Sequence, residues 1–315
     1  MTVRDVTIVE VGPRDGLQNE RSQLTTDVKV TFIAALAAAG LPVIECGAFV
    51  HPTRVPQMAD SDEVSRAAAN HPAVRAAGTR LTALVPNLRG LERAVAVGLT
   101  EVAVFAAASD TFSRRNINQS MEAALVGYQE VCAAALAAGL RVRGYVSTVF
   151  GCPYEGSVPV ATVHRVAEAL LAMGADEVVL SDTIGVAHPG QVREVLSALR
   201  DHLPWDRVAL HFHDTRGTAL ANVLVSLEAE VWSYDASAGG LGGCPFAPGA
   251  TGNLATEDLV YMLDGLGLRT GVSLERVAAA SAGIASHIDH PLPSRVFQAL
   301  GKPAAVPLTR PPDGR

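Results

Sequence analysis

The sequence predicts an α/β protein, and within that class a (β/α)8 TIM barrel with one or two additional C-terminal helices. Along the 315 residues, eight short β-branched runs alternate with longer Ala- and Leu-rich stretches at helical spacing, which is typical of βα units and a parallel sheet. Eight such units in roughly 265 residues match the usual size of a closed barrel. An open sheet that binds a dinucleotide would carry GxGxxG after its first strand, but here that strand is followed by GPRDGLQNE.

Each predicted strand is a short β-branched run, and each candidate helix is a longer apolar stretch at helical spacing. The predicted strands are residues 7–11, 42–46, 80–85, 101–105, 141–149, 177–180, 208–212 and 231–236. The candidate helices lie near residues 26–39, 60–70, 88–98, 119–138, 159–173, 189–202, 216–229 and 255–266, and residues 270–300 add one or two more. Four helices are followed by glycines that can adopt a positive φ as caps, namely Gly40, Gly98, Gly139 and Gly174.

The composition predicts one globular catalytic domain. Hydrophobic residues make up 49% of the chain and charged residues 18%, and a chain of this length can build one large core without disulfides or metal staples. We expect that domain to span residues 1–302. The last fourteen residues, KPAAVPLTRPPDGR, contain four prolines, which predicts a flexible tail over residues 303–315.

Charge and residue patterns exclude several partners and environments. A net charge of -7 and a pI near 5.7 argue against nucleic acid. The start MTVRDVTIVEV has no signal-peptide layout, and no apolar run reaches the ~18 residues of a membrane span. The four cysteines, at positions 46, 132, 152 and 244, lie far apart with no CxxC pair, which argues against a disulfide scaffold or a Cys-rich zinc site. A reducing, cytoplasmic location is the expectation.

Polar residues follow several predicted strands, at the face where barrel active sites form. Arg14 and Asp15 come after the first strand, Glu45 and His51 belong to the end of the second, and Asp182 follows the sixth. The seventh strand ends in HFHD, and the eighth leads into GGLGGCPFAPGATGN. We expect the active site to be built from these segments.

His211 and His213 are the strongest candidates for binding a metal. Residues two apart on a strand point to one face, so both imidazoles could share one cation. Because a closed barrel places the first strand beside the eighth and the eighth beside the seventh, Asp15 and the loop around Asn253 should approach the same point. Nitrogen and oxygen ligands without thiolate suit Mg²⁺ or Mn²⁺, with Zn²⁺ possible.

Two other interpretations of this histidine pair remain open at this point. Both side chains could be hydrogen-bonded core residues at the end of a strand. An HxH pair also occurs in barrel hydrolases of the amidohydrolase type, but there the pair follows the first strand, whereas here it follows the seventh.

Seven long, ungapped segments resemble the 3-hydroxy-3-methylglutaryl-CoA lyase family, which is metal-dependent and built on TIM barrels. The resemblance covers about residues 5–300. It rests on VEVGPRDGLQNE (9–20), VPQMAD (55–60), RRNIN (114–118), GYVSTVFGCPYEG (144–156), SDTIGVAHPG (181–190), HFHDTRGTALANV (211–223) and GGLGGCPFAPGATGNLATEDLVYML (239–263).

The resemblance implies a reaction and a cofactor. The expected reaction cleaves hydroxymethylglutaryl-CoA to acetyl-CoA and acetoacetate, a carbon–carbon scission of leucine degradation and ketone-body formation. The implied metal, Mg²⁺ or Mn²⁺, is held by Asp15, His211, His213 and Asn253. The implied partners are an acyl-CoA thioester and a second copy of the chain in a homodimer, with no nucleic acid and no membrane.

Further roles follow from the resemblance. Arg14 is the expected catalytic cation near the thioester oxygen, where negative charge builds up. Asp15 or His211 could accept the hydroxyl proton, and Cys244, on a mobile glycine-rich loop, could protonate the enolate. Glu45, Tyr145 and Asp182 are expected to line the site or to support its ligands. Arg114 and Arg115 are expected to contact the phosphates of coenzyme A.

The segment after the second strand departs from the family pattern. Gly47, Ala48, His51 and the pair Thr53-Arg54 stand where the family more often has other residues, such as a hydroxyl near Ala48 and serine at position 51. A lost hydroxyl donor there could change the accepted acyl group. A lyase for citramalyl-CoA or a longer branched 3-hydroxyglutaryl-CoA is therefore the main alternative, followed by a condensing synthase related to isopropylmalate synthase and by a barrel that has lost its activity.

Overall fold

A computed structural model describes residues 5–243, 252–301 and 303–308. Eight parallel strands close into a barrel in chain order, and the last strand pairs with the first. This confirms the predicted TIM barrel. The strands are β1 (Thr7–Glu10), β2 (Val43–Ala48), β3 (Arg80–Leu84), β4 (Glu101–Ala107), β5 (Arg141–Ser147), β6 (Glu177–Asp182), β7 (Val208–Phe212) and β8 (Ser233–Ala236).

Helices surround the barrel and bury its outer face. Within the described ranges they are α1 (Thr26–Ala38), α2 (Ser61–Asn70), α3 (Pro72–Ala77), α4 (Leu88–Ala96), α5 (Asp110–Ile117), α6 (Met121–Ala137), α7 (Val160–Ala172), α8 (Pro189–Leu199), α9 (Ala219–Glu228), α10 (Thr256–Gly265), α11 (Leu274–Ala285) and α12 (Arg295–Ala299). The inner face is filled by strand side chains, so every residue of β2 and of β7 is buried. Because both faces of the strands are buried, the strand sequences are nearly continuous runs of apolar residues.

Two helices were absent from the sequence-based prediction. His71 has an extended backbone and its Nδ1 accepts a hydrogen bond from Ala73 N, so α3 starts afresh at Pro72 instead of continuing α2; proline is tolerated in the first turn of a helix. Helix α5 is short and mostly polar, and it buries only Phe112 and Ser113. Its sequence therefore has too few apolar residues at helical spacing to predict a helix.

The helix caps and the C-terminal helices agree with the predictions. Gly40, Gly98, Gly139 and Gly174 all have positive φ, between 76° and 97°. Helices α11 and α12 account for the predicted additional elements.

Part of the predicted tail packs against the barrel helices. Val306 N donates a hydrogen bond to Ala279 O, and Leu308 is buried. The division into one catalytic domain and a flexible tail stays a prediction. Among the described residues, no helix is both long and apolar enough to cross a membrane.

Candidate active site

Arg14 and Asp15 lie on a single π-helical turn, Gly12–Gly16, directly after β1. The turn closes with a hydrogen bond from Gly16 N to Val11 O of 3.1 Å. Buried Glu10 anchors it, since one carboxylate oxygen accepts hydrogen bonds from Gly12 N at 2.8 Å and from Ala238 N at 2.9 Å. Such π turns are rare and occur frequently at functional sites.

The two histidines at the end of β7 lie beside Asp15. The ring centroids of His211 and His213 are 5.0 Å apart, and His213 Nε2 lies 3.9 Å from Asp15 Oδ2. One possible ligand atom from each of these three residues lies within 4.8 Å of the others. The barrel closure between β1, β8 and β7 thus brings together the carboxylate and the HxH pair.

Asn253 reaches this group because its backbone is fixed to the end of β7. Asp214 N donates to Gly252 O at 2.7 Å, and Leu254 N donates to Phe212 O at 3.0 Å. The side-chain Nδ2 of Asn253 donates to Asp15 Oδ2 at 2.9 Å and to Leu241 O at 3.1 Å. These two acceptors fix the orientation of the amide.

Close approach of the glycine-rich loop to this amide requires a residue without a side chain. Gly242 has a φ of +117°, and a Cβ built there would lie 2.7 Å from Asn253 Nδ2. Glycine is the residue that tolerates both the positive φ and the contact.

The four residues fit a hard divalent cation. Asn253 Oδ1 is buried and has no hydrogen-bond partner among the described residues, which is costly unless another group is bound. Burial, followed by the proximity of His211, lowers the pKa of His213 to about 4, so this imidazole is neutral, as a metal ligand must be. Imidazole, carboxylate and amide ligands together are compatible with Mg²⁺ or Mn²⁺.

Arg14 is held between two carboxylates. Its Nε donates to Glu45 Oε2 at 2.6 Å, and its Nη1 donates to Asp15 Oδ1 at 2.6 Å. Burial alone would lower the pKa of Arg14, but Glu45 and Asp15 raise it above the ordinary value. Burial likewise opposes ionisation of Asp15, yet Arg14 and the two histidines hold the pKa of Asp15 well below its usual range. Arg14 is therefore a permanent cation beside an ionised carboxylate.

A β-bulge in β2 accompanies the placement of Glu45. The pairing register with β3 shifts between Glu45 and Gly47, and bulges of this kind re-aim a side chain near active sites. Gly47 allows close packing, since a Cβ there would lie 2.8 Å from Ser61 Oγ.

Asp182 uses both of its carboxylate oxygens to support a loop. Its two carboxylate oxygens accept hydrogen bonds from Val186 N at 2.9 Å and Ala187 N at 3.1 Å. Burial raises its pKa to about 6. The loop between β6 and α8 is the element that this carboxylate orders.

Sequence reasoning missed a second layer of polar residues beneath the histidines. Tyr145, which the resemblance does place near the site, meets His211 edge-on with centroids 6.4 Å apart. Asp235 Oδ2 lies 3.0 Å from His211 Nδ1, and Arg143 Nη1 donates to Asp235 Oδ1 at 2.7 Å. The sequence contains a signal for this layer, since Arg143 and Asp235 are charged residues inside predicted strands. Charged residues are rarely buried unless they are paired.

The remaining candidate residues lie farther out or outside the described part of the chain. Arg114 is exposed and pairs with Asp110, while exposed Arg115 lies 4.4 Å above the ring of Tyr154. Cys244 lies outside the described residues.

The positions that depart from the family pattern fall into two groups. Ala48 is fully buried at the end of β2. His51, Thr53 and Arg54 are exposed in the following loop, where Thr53 Oγ1 lies 2.9 Å from His51 Nδ1.

The chain is similar in sequence to known enzymes of one family. Residues 5–284 match the HMGL-like family. The chain is 50% identical over 299 residues to the mitochondrial hydroxymethylglutaryl-CoA lyase of Bos taurus, covering 95% of this chain and 90% of that protein.

Solved structures show the same similarity. The Bacillus subtilis HMG-CoA lyase superimposes with a TM-score of 0.91 at 48% identity, covering 95% of this chain and 99% of that one. An Acinetobacter baumannii HMG-CoA lyase, solved with coenzyme A and 3-methylmalate, gives a TM-score of 0.87 at 36% identity, covering 94% and 95%. The chain therefore belongs to the HMGL-like family, the family of the hydroxymethylglutaryl-CoA lyases.

Proposed function

We propose that this chain cleaves 3-hydroxy-3-methylglutaryl-CoA to acetyl-CoA and acetoacetate with the help of a divalent cation. The observation that carries the proposal is the convergence of Asp15, His211, His213 and Asn253 beside the guanidinium of Arg14. The names of relatives support the substrate, since proteins about half identical to this chain over nearly its whole length are named hydroxymethylglutaryl-CoA lyases.

The reaction breaks a carbon–carbon bond next to a tertiary hydroxyl. The hydroxyl must lose its proton, and the electrons of the broken bond must be accepted by the thioester, which becomes an enolate. A divalent cation bound by Asp15, His211, His213 and Asn253 would lower the pKa of the substrate hydroxyl and orient the substrate.

Arg14 provides the positive charge that the enolate oxygen requires. Its guanidinium is buried and fixed by Glu45 and Asp15, so little reorganisation is needed when charge develops. Preorganised cations of this kind stabilise the transition state more strongly than water does. Glu45 acts here by positioning Arg14.

The hydroxyl proton has two candidate acceptors, Asp15 and His211. Asp15 uses one carboxylate oxygen for Arg14 and the other for Asn253, whereas His211 uses its Nδ1 for Asp235. Cys244 is proposed as the acid that protonates the enolate.

Finer assignments complete the proposal. The cation is Mg²⁺ or Mn²⁺, and Arg114 and Arg115 contact the phosphates of coenzyme A. The buried thiols of Cys46 and Cys132, which form no disulfide, support a reducing compartment, and we propose that this compartment is the cytoplasm. We propose that the working form is a homodimer and that the activity serves leucine degradation and ketone-body formation.

The decisive experiment measures acetyl-CoA release from a panel of thioesters with added Mg²⁺ or Mn²⁺ and with a chelator. The panel contains hydroxymethylglutaryl-CoA, citramalyl-CoA and a longer branched 3-hydroxyglutaryl-CoA. We expect metal-dependent cleavage with the highest kcat/KM for hydroxymethylglutaryl-CoA. Preference for another thioester would contradict the substrate, and cleavage that is unaffected by the chelator would contradict the mechanism.

A further inference from the structure

Asp235 is a buried carboxylate that links His211 to the barrel interior. In the sheet, His211 of β7 and Asp235 of β8 are register partners. Asp235 is 1% exposed, and its Oδ2 lies 3.0 Å from His211 Nδ1. Its other oxygen, Oδ1, accepts a hydrogen bond from Arg143 Nη1 at 2.7 Å. Both carboxylate oxygens therefore have partners.

Arg143 is fixed by three groups. Its Nε donates to Glu177 Oε2 at 2.7 Å, its register partner on β6. Its Nη1 donates to Tyr145 OH at 2.8 Å as well as to Asp235. Because Arg143 lies on β5 and Asp235 on β8, which are not neighbours in the sheet, this ion pair crosses the interior of the barrel.

A carboxylate at this position determines which imidazole nitrogen carries the proton. A neutral imidazole has one N–H donor and one lone pair. Asp235 can only accept, so the proton of a neutral His211 belongs on Nδ1, and the lone pair belongs on Nε2. Metal-bound histidines are usually fixed in this way by a carboxylate.

We propose that Asp235 is a positioning residue that fixes the tautomer and ring orientation of His211 for binding a divalent cation, and that Arg143 holds Asp235 in place for this task. The proposal rests on the metal-dependent function proposed above. His213 provides a contrast, since its Nδ1 has no hydrogen-bond partner among the described residues. His211 is thus the ligand of the pair that the barrel interior preorganises.

The test compares Asp235→Asn with the wild type in two measurements. The first is an NMR spectrum of metal-free protein labelled with ¹⁵N-histidine, at alkaline pH, with the His211 signals assigned by their loss in His211→Gln. The second is the affinity for Mn²⁺, measured by electron paramagnetic resonance. Glu177→Gln is the matched control, because it removes the charge of a partner of Arg143 but changes no contact of His211.

We expect wild-type His211 to carry its proton on Nδ1. In Asp235→Asn, the amide can present N–H to the ring, so the tautomer shifts toward Nε2–H and the Kd for Mn²⁺ rises about 10–100-fold. Glu177→Gln should keep both the tautomer and the Mn²⁺ affinity of the wild type. If Asp235→Asn does not fold because Arg143 is left as an unpaired buried cation, the Arg143→Met/Asp235→Asn double variant removes both charges and should show the same loss of affinity.

The proposal is overturned if His211 keeps its tautomer and Mn²⁺ binds normally without the carboxylate. It is also overturned if Glu177→Gln weakens Mn²⁺ binding as much as Asp235→Asn does, because the effect would then come from general loosening of the barrel. A wild-type protein that binds no Mn²⁺ would contradict the proposed function instead. The tautomer comparison needs no metal and would still decide the role of Asp235.

Discussion

Arg14→Gln should nearly abolish turnover while leaving the divalent cation bound. The substitution removes a permanent charge and the contacts with Glu45 and Asp15. Removing one preorganised donor to a developing oxyanion typically costs about 10²–10³ in kcat, or about 2.7–4 kcal/mol of transition-state stabilisation. Metal affinity should change little, because the group that would hold the cation consists of Asp15, Asn253 and the two histidines.

The same substitution also affects folding stability. The side chain of Glu45 is fully buried and that of Arg14 is 9% exposed, and removing one partner of a buried pair typically costs about 3–5 kcal/mol. We expect the lower end of that range, because burial already raises the pKa of Glu45 and protonation would remove the unpaired charge. The Arg14→Gln/Glu45→Gln double variant should recover stability but not turnover.

The assay is acetyl-CoA release at saturating hydroxymethylglutaryl-CoA, run beside Mn²⁺ binding and urea unfolding. Arg93→Gln is the control, since Arg93 forms a partly exposed pair with Asp62 that contributes at most ~1 kcal/mol. Near-normal turnover in Arg14→Gln would refute the catalytic role. Equal loss of Mn²⁺ binding and turnover would mean that Arg14 holds the site together instead of stabilising charge.

Three further predictions concern the metal ligands and the buried carboxylates. Asn253→Ala should weaken Mn²⁺ binding by on the order of tenfold or more in a titration, and wild-type affinity would exclude this amide as a ligand. Treatment with EDTA should abolish acetyl-CoA release and added Mn²⁺ should restore it; activity that persists through chelation argues against the metal. Burial raises the pKa of Glu10 from 4.5 to about 7, so the folded protein binds this proton more tightly than the unfolded chain. The Glu10 contribution to the free energy of unfolding should therefore fall by on the order of 3 kcal/mol as the pH rises from 4.5 to 7. In urea unfolding, Glu10→Gln should reduce the pH dependence of stability by that amount, and an unchanged pH dependence would contradict the prediction.

Barrel topology made much of the site predictable from the sequence. Apolar periodicity identified eight βα units, and closure of a barrel necessarily places β1 beside β8 and β8 beside β7. From that adjacency alone, Asp15 and the HxH pair were expected at one point of the mouth. Both the strand count and the adjacency are confirmed by the structure.

Asn253 could not be derived in this way. Its position depends on hydrogen bonds that Asp214 and Leu254 make across the end of β7, and the pattern of a glycine-rich loop does not specify such bonds. Asn253 was predicted as a metal ligand from the resemblance to the lyase family. The two histidines were predicted as ligands from their spacing on the strand.

Arg143 and Asp235 show a different limit of sequence reasoning. Each is recognisable as a charged residue within a predicted strand, but the two are 92 residues apart in the chain and lie on strands that do not pair. Only the three-dimensional curvature of the barrel brings them into contact. Similarly, nothing in the sequence pattern shows that the Asp182 oxygens accept the backbone N–H groups of Val186 and Ala187.

Anomalous X-ray diffraction from crystals grown with Mn²⁺ tests the central claim most directly. The account predicts one strong peak coordinated by Asp15, His211, His213 and Asn253, adjacent to Arg14. A peak at the group of Glu20, Asp289 and His290 with none beside the histidine pair would contradict it, because the proposed cleavage would then have no electrophile at the substrate hydroxyl.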